Sequence, residues 1–414
     1  MNIALGKIGK SILFGPKEYR TTKKSMTTGS IDARVCFESM IRFNPEHTFY
    51  IIGRSNYSRL PPEIQDKINV HGNVIDIWVG YKEWKKTVPK DVPEEHYPWM
   101  YIDYWLDNND VEFDAGSFLA GGVLEYAVQG KTLKEGKPIK TLVAASNYAG
   151  PIHHFINRTK LPYTILLTDP RCYPKPTKDL MVMPKRVLSQ YSEPLEVTHK
   201  VTYECDEMVT EKVDAVYSGI ESLYVVEEQW DEKEPDVFSL FDEPEPEPVE
   251  RDINMMLFLN EGSPSRFNDL KKYVLDAVED VKVYGSWSEK PLKDPRIEQV
   301  PMAECEHLIP RIKYTFCIPI APGWCTGKFW EMAKLGMVPF VHPTYDEQNN
   351  IGIPEELRVK DANDLLEKIN VYNNDEKEYN RILAKLQDML TDDHKSGKYI
   401  NDMIMKNIME IVEQ

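Results

Sequence analysis

The segment Thr326-Gly327-Lys328-Phe329-Trp330-Glu331-Met332-Ala333-Lys334-Leu335-Gly336, followed by the apolar run Met337 to Val341, holds the residue types of this chain that best suit a defined chemistry. A loop containing Gly327 opens a short helix whose first turn carries Lys328 and an inward-facing Glu331. A strand follows at once. Loop amides and a cation suit a diphosphate, and a carboxylate can accept both hydroxyls of a ribose, so the layout fits a nucleotide-sugar. An ordinary αβ unit with a salt-bridged glutamate has the same pattern.

A second anion site is readable further upstream. The apolar stretch Ile253 to Leu259 ends in Asn260-Glu261-Gly262-Ser263-Pro264-Ser265-Arg266. Ser263 is a good N-cap and Pro264 a good first helical residue, which places Arg266 in the first turn. Amides, helix dipole and guanidinium then converge on one point. A normal cap with a solvated arginine reads identically.

The stretch Tyr163 to Leu167 runs into Thr168-Asp169-Pro170-Arg171. Pro170 stops strand pairing, so Asp169 projects from a strand's carboxyl end. A carboxylate there can take a proton from an acceptor hydroxyl as it attacks a sugar's anomeric carbon. Capping the turn, or pairing with Arg171, is the plainer role. Backbone groups at Val300, in Gln299-Val300-Pro301-Met302, can pair with a base edge. Asp32, beside the loop Thr27-Thr28-Gly29-Ser30, can hydrogen-bond an acceptor or a sugar, or serve only as a first-turn acid. His153 and His154 have no partner at metal-ligand spacing and there is no Asp-x-Asp motif, so donor binding is expected to need no divalent ion.

Elements that would position these residues alternate along the chain. Strands are expected at residues 2–6, Thr48 to Ile52, Val74 to Val79, Glu112 to Phe118 and Tyr163 to Leu167, with helices at Ile31 to Ile41 and Leu142 to Ile156. Residues 80–111, rich in Trp, Tyr, Pro and charge, show no repeating period and read as an inserted loop. Alternation resumes with Ile253 to Leu259, a helix Arg266 to Val278, then Val281 to Tyr284, Thr315 to Ile320, a helix Gly327 to Leu335, and Val338 to Val341. Helical stretches Ala362 to Leu390, broken near Asn373, and Tyr399 to Val412 close the chain. This pattern predicts an α/β protein with two Rossmann-like αβα domains facing a central cleft. Residues 1–230 form the first domain, 231–250 a linker, 251–395 the second domain, and 396–414 a helix returning to the first.

Composition agrees with that size and bounds the partners. The chain has 414 residues, 42% of them hydrophobic, with six scattered cysteines and no C-x-x-C pair. Reduced thiols and no structural zinc are expected, in a cytoplasmic protein with no membrane partner. Residues 227–252 hold twelve acids against two bases, which is −10 of the formal −17. Within them, Glu-Pro-Glu-Pro-Glu-Pro at 243–248 reads as extended linker. Residues 1–24 instead hold Lys7, Lys10, Lys17, Arg20, Lys23 and Lys24 against Glu18 alone. That basic edge can lie along phosphates, although such runs are commonly just solvated.

Taken in order, these segments resemble the DNA beta-glucosyltransferases of T-even phages, a two-domain GT-B family. The resemblance is strongest over 160–195 and 253–345. It is carried by Thr168-Asp169-Pro170-Arg171, by Arg266 at the family's spacing from Gly285, by Ser-Glu-Lys at 288–290, by Val-Pro-Met at 300–302, by Lys328-Phe329-Trp330-Glu331, and by Val187-Leu188-Ser189-Gln190. It implies an inverting transferase that moves a sugar from a UDP-sugar to the hydroxymethyl group of 5-hydroxymethylcytosine in double-stranded phage DNA, shielding that DNA from nucleases of the infected bacterial host. It further implies Asp169 as general base, with Asp32 beside it, and Arg266, Lys328, Glu331, Val300, Gly285, Gly262 and Gly327 around the donor. Arg171 and the N-terminal basic residues would meet DNA. A monomer needing no cofactor is implied, with Mg or Mn assisting product release. Gly262 and Lys328 stand where the family has arginines, which leaves the sugar open between glucose and a pentose such as arabinose. It also leaves open 5-hydroxymethyluracil, an already glycosylated base, or a non-DNA acceptor.

Overall fold

The computed structural model describes residues 1–8, 11–15, 19, 34–120, 151–167, 184–189, 196–200, 208–212, 220–222, 250–261, 264–300, 302–319, 326–347, 352–390 and 397–414. They form two compact units. The first combines the N-terminal half with the C-terminal helix Gly397–Val412, and the second covers the described residues from 250 to 390.

The first unit is built on β1 (Asn2–Ile8), β2 (Thr48–Ile51), β3 (Val74–Asp76), β4 (Ala115–Ala120), β5 (Tyr163–Leu167), β6 (Arg186–Ser189) and β9 (Ile220–Ser222). Between the last two, β7 (Glu196–Lys200) and β8 (Met208–Lys212) make a separate antiparallel pair. The seven-stranded sheet has the order β3-β2-β1-β4-β5-β6-β9, and each of its pairings is parallel. Helices cover both faces of a parallel sheet, so its strands read as near-continuous apolar runs. Residues 3–8 of β1 are accordingly all buried. On one face, Ala4 and Ile8 pack with Ile102, Ile152, Phe155 and Ile156 from the helices Tyr97–Asn108 and 151–159. The helix Gly397–Val412 packs on β4, β5, β6 and the helical segment Arg34–Phe43. There Asn44 donates through Nδ2 to Asn401 Oδ1 at 2.7 Å, both residues being buried.

Two expectations need correction in this unit. Residues 80–111 are not a loop, for they contain the helices Tyr81–Lys85 and Tyr97–Asn108. Tyr97, Tyr101, Ile102 and Trp105 recur at helical spacing, and Pro98 sits in the first turn, where proline is favoured. The aromatic residues that obscured the period hold the segment together. Tyr101 rings lie 5.3 Å from Trp78, 5.1 Å from Tyr81 and 5.2 Å from Trp84. The Tyr101 hydroxyl donates to Ile77 O at 2.7 Å. Tyr101→Phe is expected to lower stability by about 1 kcal/mol in urea unfolding, since it removes that bond and keeps the packing.

Lys7 is the second correction. It is 3% exposed within β1, so it takes no part in an exposed basic edge. Period-2 alternation puts it on the face of Ile3 and Leu5, both fully buried. Smaller departures concern strand ends. β3 stops at Asp76 instead of Val79 because the Asp76 carboxylate accepts from Trp78 N at 3.0 Å and turns the chain. β4 starts at Ala115 rather than Glu112, and β6 to β9 carry too little periodicity to be read from sequence.

The second unit is a five-stranded parallel sheet ordered β12-β11-β10-β13-β14. Its strands are β10 (Ile253–Phe258), β11 (Val281–Tyr284), β12 (Ile297–Glu298), β13 (Ile312–Cys317) and β14 (Val338–Val341). The chain runs outward from β10 to β12, then returns to β13 on the other side of β10. The two directions of winding therefore meet between β10 and β13. Met332 and Met337 close one face with Met256, Phe258, Cys305, Ile309 and Ile312. The long helical stretch breaks at Asp375 into Ala362–Asn374 and Glu376–Leu390.

Candidate functional site

In an open parallel sheet, ligands bind outside the carboxyl ends of the strands where the winding reverses. In the second unit that point lies between β10 and β13, and Arg266 stands on it. Pro264 opens the helix Pro264–Leu270, as its sequence position predicts, which puts Arg266 third in the helix. The guanidinium is turned onto the backbone. Nε and Nη2 donate to Ile318 O at 3.1 and 2.5 Å, and Nη1 donates to Asn260 O at 2.9 Å. With 6% exposure, this arginine is a buried cationic bracket between the ends of β10 and β13, not a solvated side chain.

The neighbouring strand end is fixed as tightly. Gly285 follows β11, and a Cβ built there would lie 2.1 Å from Leu259 O. The two backbones thus approach closer than any other residue allows. Around that contact Asn260 Oδ1 accepts from Ser286 N at 2.8 Å, and Glu261 N donates to Ser286 O at 2.9 Å. Glu261 accepts from Ser288 N at 2.8 Å and from Ser288 Oγ at 3.1 Å. Gly285→Ala is expected to cost about 3 kcal/mol, because backbone rather than a flexible side chain must yield. Thermal unfolding of the variant measures this.

The helix Gly327–Lys334 lies between β13 and β14 in the chain and packs on both strands. Thr326 O accepts from Phe329 N at 3.2 Å, which closes the first turn. Phe329 is fully buried and Trp330 nearly so, with ring centroids 5.1 Å apart, while Lys328 is half-buried. Glu331 lies on this helix, and its side chain falls outside the described residues. Gly327 is the helix's first residue. Val300 is half-buried and packs against the core on the β12 side, where Gln299 Nε2 donates to Trp287 O at 2.6 Å. Asp169, Asp32, Arg171, Gly262, Lys10, Lys17, Arg20, Lys23 and Lys24 all lie outside the described residues.

Sequence reasoning missed several residues here. Asn260 and Glu261 were read only as chain leading to Arg266, yet they tie the loops after β10 and β11 together. Tyr345 is fully buried, and its hydroxyl contacts Thr326. His342, at the end of β14, is 4.8 Å from the Tyr273 ring and 3.9 Å from Asp269 Oδ1. Burial holds its imidazole below the ordinary value, and the Asp269 carboxylate only partly opposes this. No local signal marks these side chains, because each bonds to a distant segment. Among the described residues, no group of three or more His, Cys, Asp or Glu could hold a metal ion.

No protein-family model matches the sequence, and no curated protein matches it by sequence comparison. Solved structures do match its fold. T4 phage BGT in complex with its UDP-glucose substrate aligns at a TM-score of 0.57 and 14% identity, covering 99% of each chain. The chain has the GT-B fold. A structure of the DNA modifying enzyme beta-glucosyltransferase, with and without uridine diphosphoglucose, aligns at 0.58 and 14%, covering 99% of this chain and 100% of that one. T4 phage BGT in complex with UDP and Mn2+ gives 0.57 and 14%, with 99% of each chain covered. At such identity the likeness is one of fold. Arg266 and Thr326 both belong to the second unit. No helix among the described residues is long and apolar enough to cross a membrane.

Proposed function

We propose that this GT-B chain is an inverting glycosyltransferase that moves a sugar from a UDP-sugar to the hydroxymethyl group of 5-hydroxymethylcytosine in double-stranded DNA. One observation carries the reading. A buried arginine brackets the switch point of the second sheet, in a chain that shares its fold over 99% of its length with structures containing UDP-glucose. A guanidinium and a helix N-terminus at strand ends suit a diphosphate that gains charge as it departs.

In the reaction, Asp169 takes the proton of the hydroxymethyl O–H while that oxygen bonds to the anomeric carbon. The bond from that carbon to the β-phosphate oxygen breaks, and its electron pair leaves on UDP. A single displacement of this kind inverts the anomeric centre. Arg266, Lys328 and the Gly327 amide stabilise the departing diphosphate, and Gly285 and Gly262 let the loops approach it. Glu331 accepts the ribose hydroxyls, Val300 meets the uracil through its backbone, and Asp32 orients the acceptor. Lys10, Lys17, Arg20, Lys23, Lys24 and Arg171 contact DNA phosphates, and the target nucleotide is turned out of the stack. Lys7 is left out of that set by its burial. The transferred sugar is glucose, or a pentose such as arabinose, and the protein works as a monomer inside the infected cell. Mg or Mn would supply charge neutralisation to the UDP product and so assist its release.

The test is direct. The protein is incubated with a panel of UDP-sugars and with hydroxymethylated or unmodified duplexes, and the digested nucleosides are weighed. A hexose or pentose mass is expected on hydroxymethylcytosine from one donor. Absence of any mass gain with every donor rejects the reading.

A further inference from the structure

The proposed donor site contains a helix start that is tied to a segment beyond β14. Thr326, the residue before the helix Gly327–Lys334, meets one hydroxyl of that segment at three of its atoms. Tyr345 Oη accepts from Thr326 N at 2.8 Å, lies 2.9 Å from Thr326 Oγ1, and donates to Thr326 O at 3.0 Å. A tyrosine hydroxyl has one hydrogen and two acceptor positions. With its hydrogen on the Thr326 carbonyl, it receives both the amide and the threonine hydroxyl. Three bonds to one residue fix orientation as well as distance.

The tyrosine is itself immobilised. Its ring is fully buried, and its centroid lies 6.3 Å from that of Phe329 on the same helix. The Tyr345 carbonyl accepts from Arg358 Nη1, and Arg358 Nη2 reaches Asp346 Oδ2 at 3.4 Å. Asp346 is 1% exposed and has a left-handed backbone, φ 69°. Such a conformation in a non-glycine residue persists where surrounding contacts enforce it. Arg358 in turn pairs with Val341, the last residue of β14. A continuous chain of contacts therefore runs from the sheet through Arg358 and Tyr345 to the helix start.

We propose that Tyr345 is a positioning residue that aims the first turn of the helix, with the Gly327 and Lys328 amides, at the diphosphate of the donor. The proposal rests on the nucleotide-sugar reading above and adds a specific residue to it. The role requires no contact between Tyr345 and the substrate. Its role is to prevent the helix start from tilting, which the thirteen-atom hydrogen-bond ladder alone does not do at its first turn.

UDP titrated calorimetrically into the full-length protein tests this, with Tyr345→Phe and Thr326→Ala as variants. Tyr345→Phe keeps the ring and removes all three bonds, so UDP affinity is expected to fall about tenfold. Thr326→Ala removes one of the three, and a fall of about twofold to threefold is expected. In the transfer assay, KM for the UDP-sugar rises in the same order while KM for DNA stays unchanged, a split that general loosening of the fold would not produce. UDP affinity within a factor of about 1.5 of wild type in both variants overturns the proposal. Should Tyr345→Phe fail to fold, wild-type affinity in Thr326→Ala overturns it alone. Failure of the wild-type protein to bind UDP rejects the donor reading itself, and the positioning role with it.

Discussion

Asp169→Ala is expected to lower sugar transfer by about 10²- to 10⁴-fold while leaving UDP affinity within twofold of wild type. The asymmetry follows from the assigned role. A general base acts on the acceptor hydroxyl, and in the proposed mechanism other residues hold the donor's diphosphate. In the sequence Asp169 follows the last residue of β5 by two positions. The pairings of β5 with β4 and of β4 with β1 are parallel, so the carboxyl ends of these three strands lie on one edge of the first sheet. Single-turnover transfer, read by nucleoside mass beside a UDP titration, measures both quantities. Unchanged transfer in the variant would remove Asp169 from the mechanism and leave the donor assignment standing.

The second large effect is expected at Arg266. Arg266→Ala strips three donors from Asn260 O and Ile318 O, the carbonyls just past the ends of β10 and β13 that this side chain joins. Leaving buried carbonyls without partners costs about 2–4 kcal/mol. Under the proposed mechanism transfer falls further, by about 10²- to 10³-fold, because a positive charge at these strand ends is lost as well. Arg266→Lys is the sharper experiment. An ammonium keeps the charge but has no fork to span two carbonyls, so it is expected to recover little stability. Urea unfolding and UDP titration of both variants separate the bracket from the charge. Full stability in Arg266→Lys would show that the fork contributes nothing.

The correction at residues 80–111 and the burial of Lys7 have related causes. Aromatic residues at Trp78, Tyr81, Trp84, Tyr101 and Tyr104 carry both apolar faces and polar tips, so hydropathy periodicity blurs even though the segment is helical. Lys7 belongs to a charge run when read linearly. In three dimensions it is the sixth residue of a strand whose six final positions are all buried. A linear charge count registers no faces. The strands Arg186–Ser189, Ile220–Ser222 and Ile297–Glu298 have only two to four residues, too few for alternation to register.

What the sequence determined by itself was local and periodic. Strand β1, strand β5, the start at Pro264, the helix Gly327–Lys334 and the break between the helices Ala362–Asn374 and Glu376–Leu390 follow from apolar spacing, proline and glycine. Those signals sufficed for two αβα units, because repeated strand–helix alternation leaves few other ways to bury both faces of a sheet. Tertiary structure alone decided what the site residues hold. Arg266 meets a carbonyl 52 residues away, Thr326 meets a hydroxyl 19 residues away, and Gly285 is demanded by Leu259 across a neighbouring strand. Each of these contacts depends on which strands become neighbours, and that order is set by the packing of the whole sheet, which no local pattern encodes.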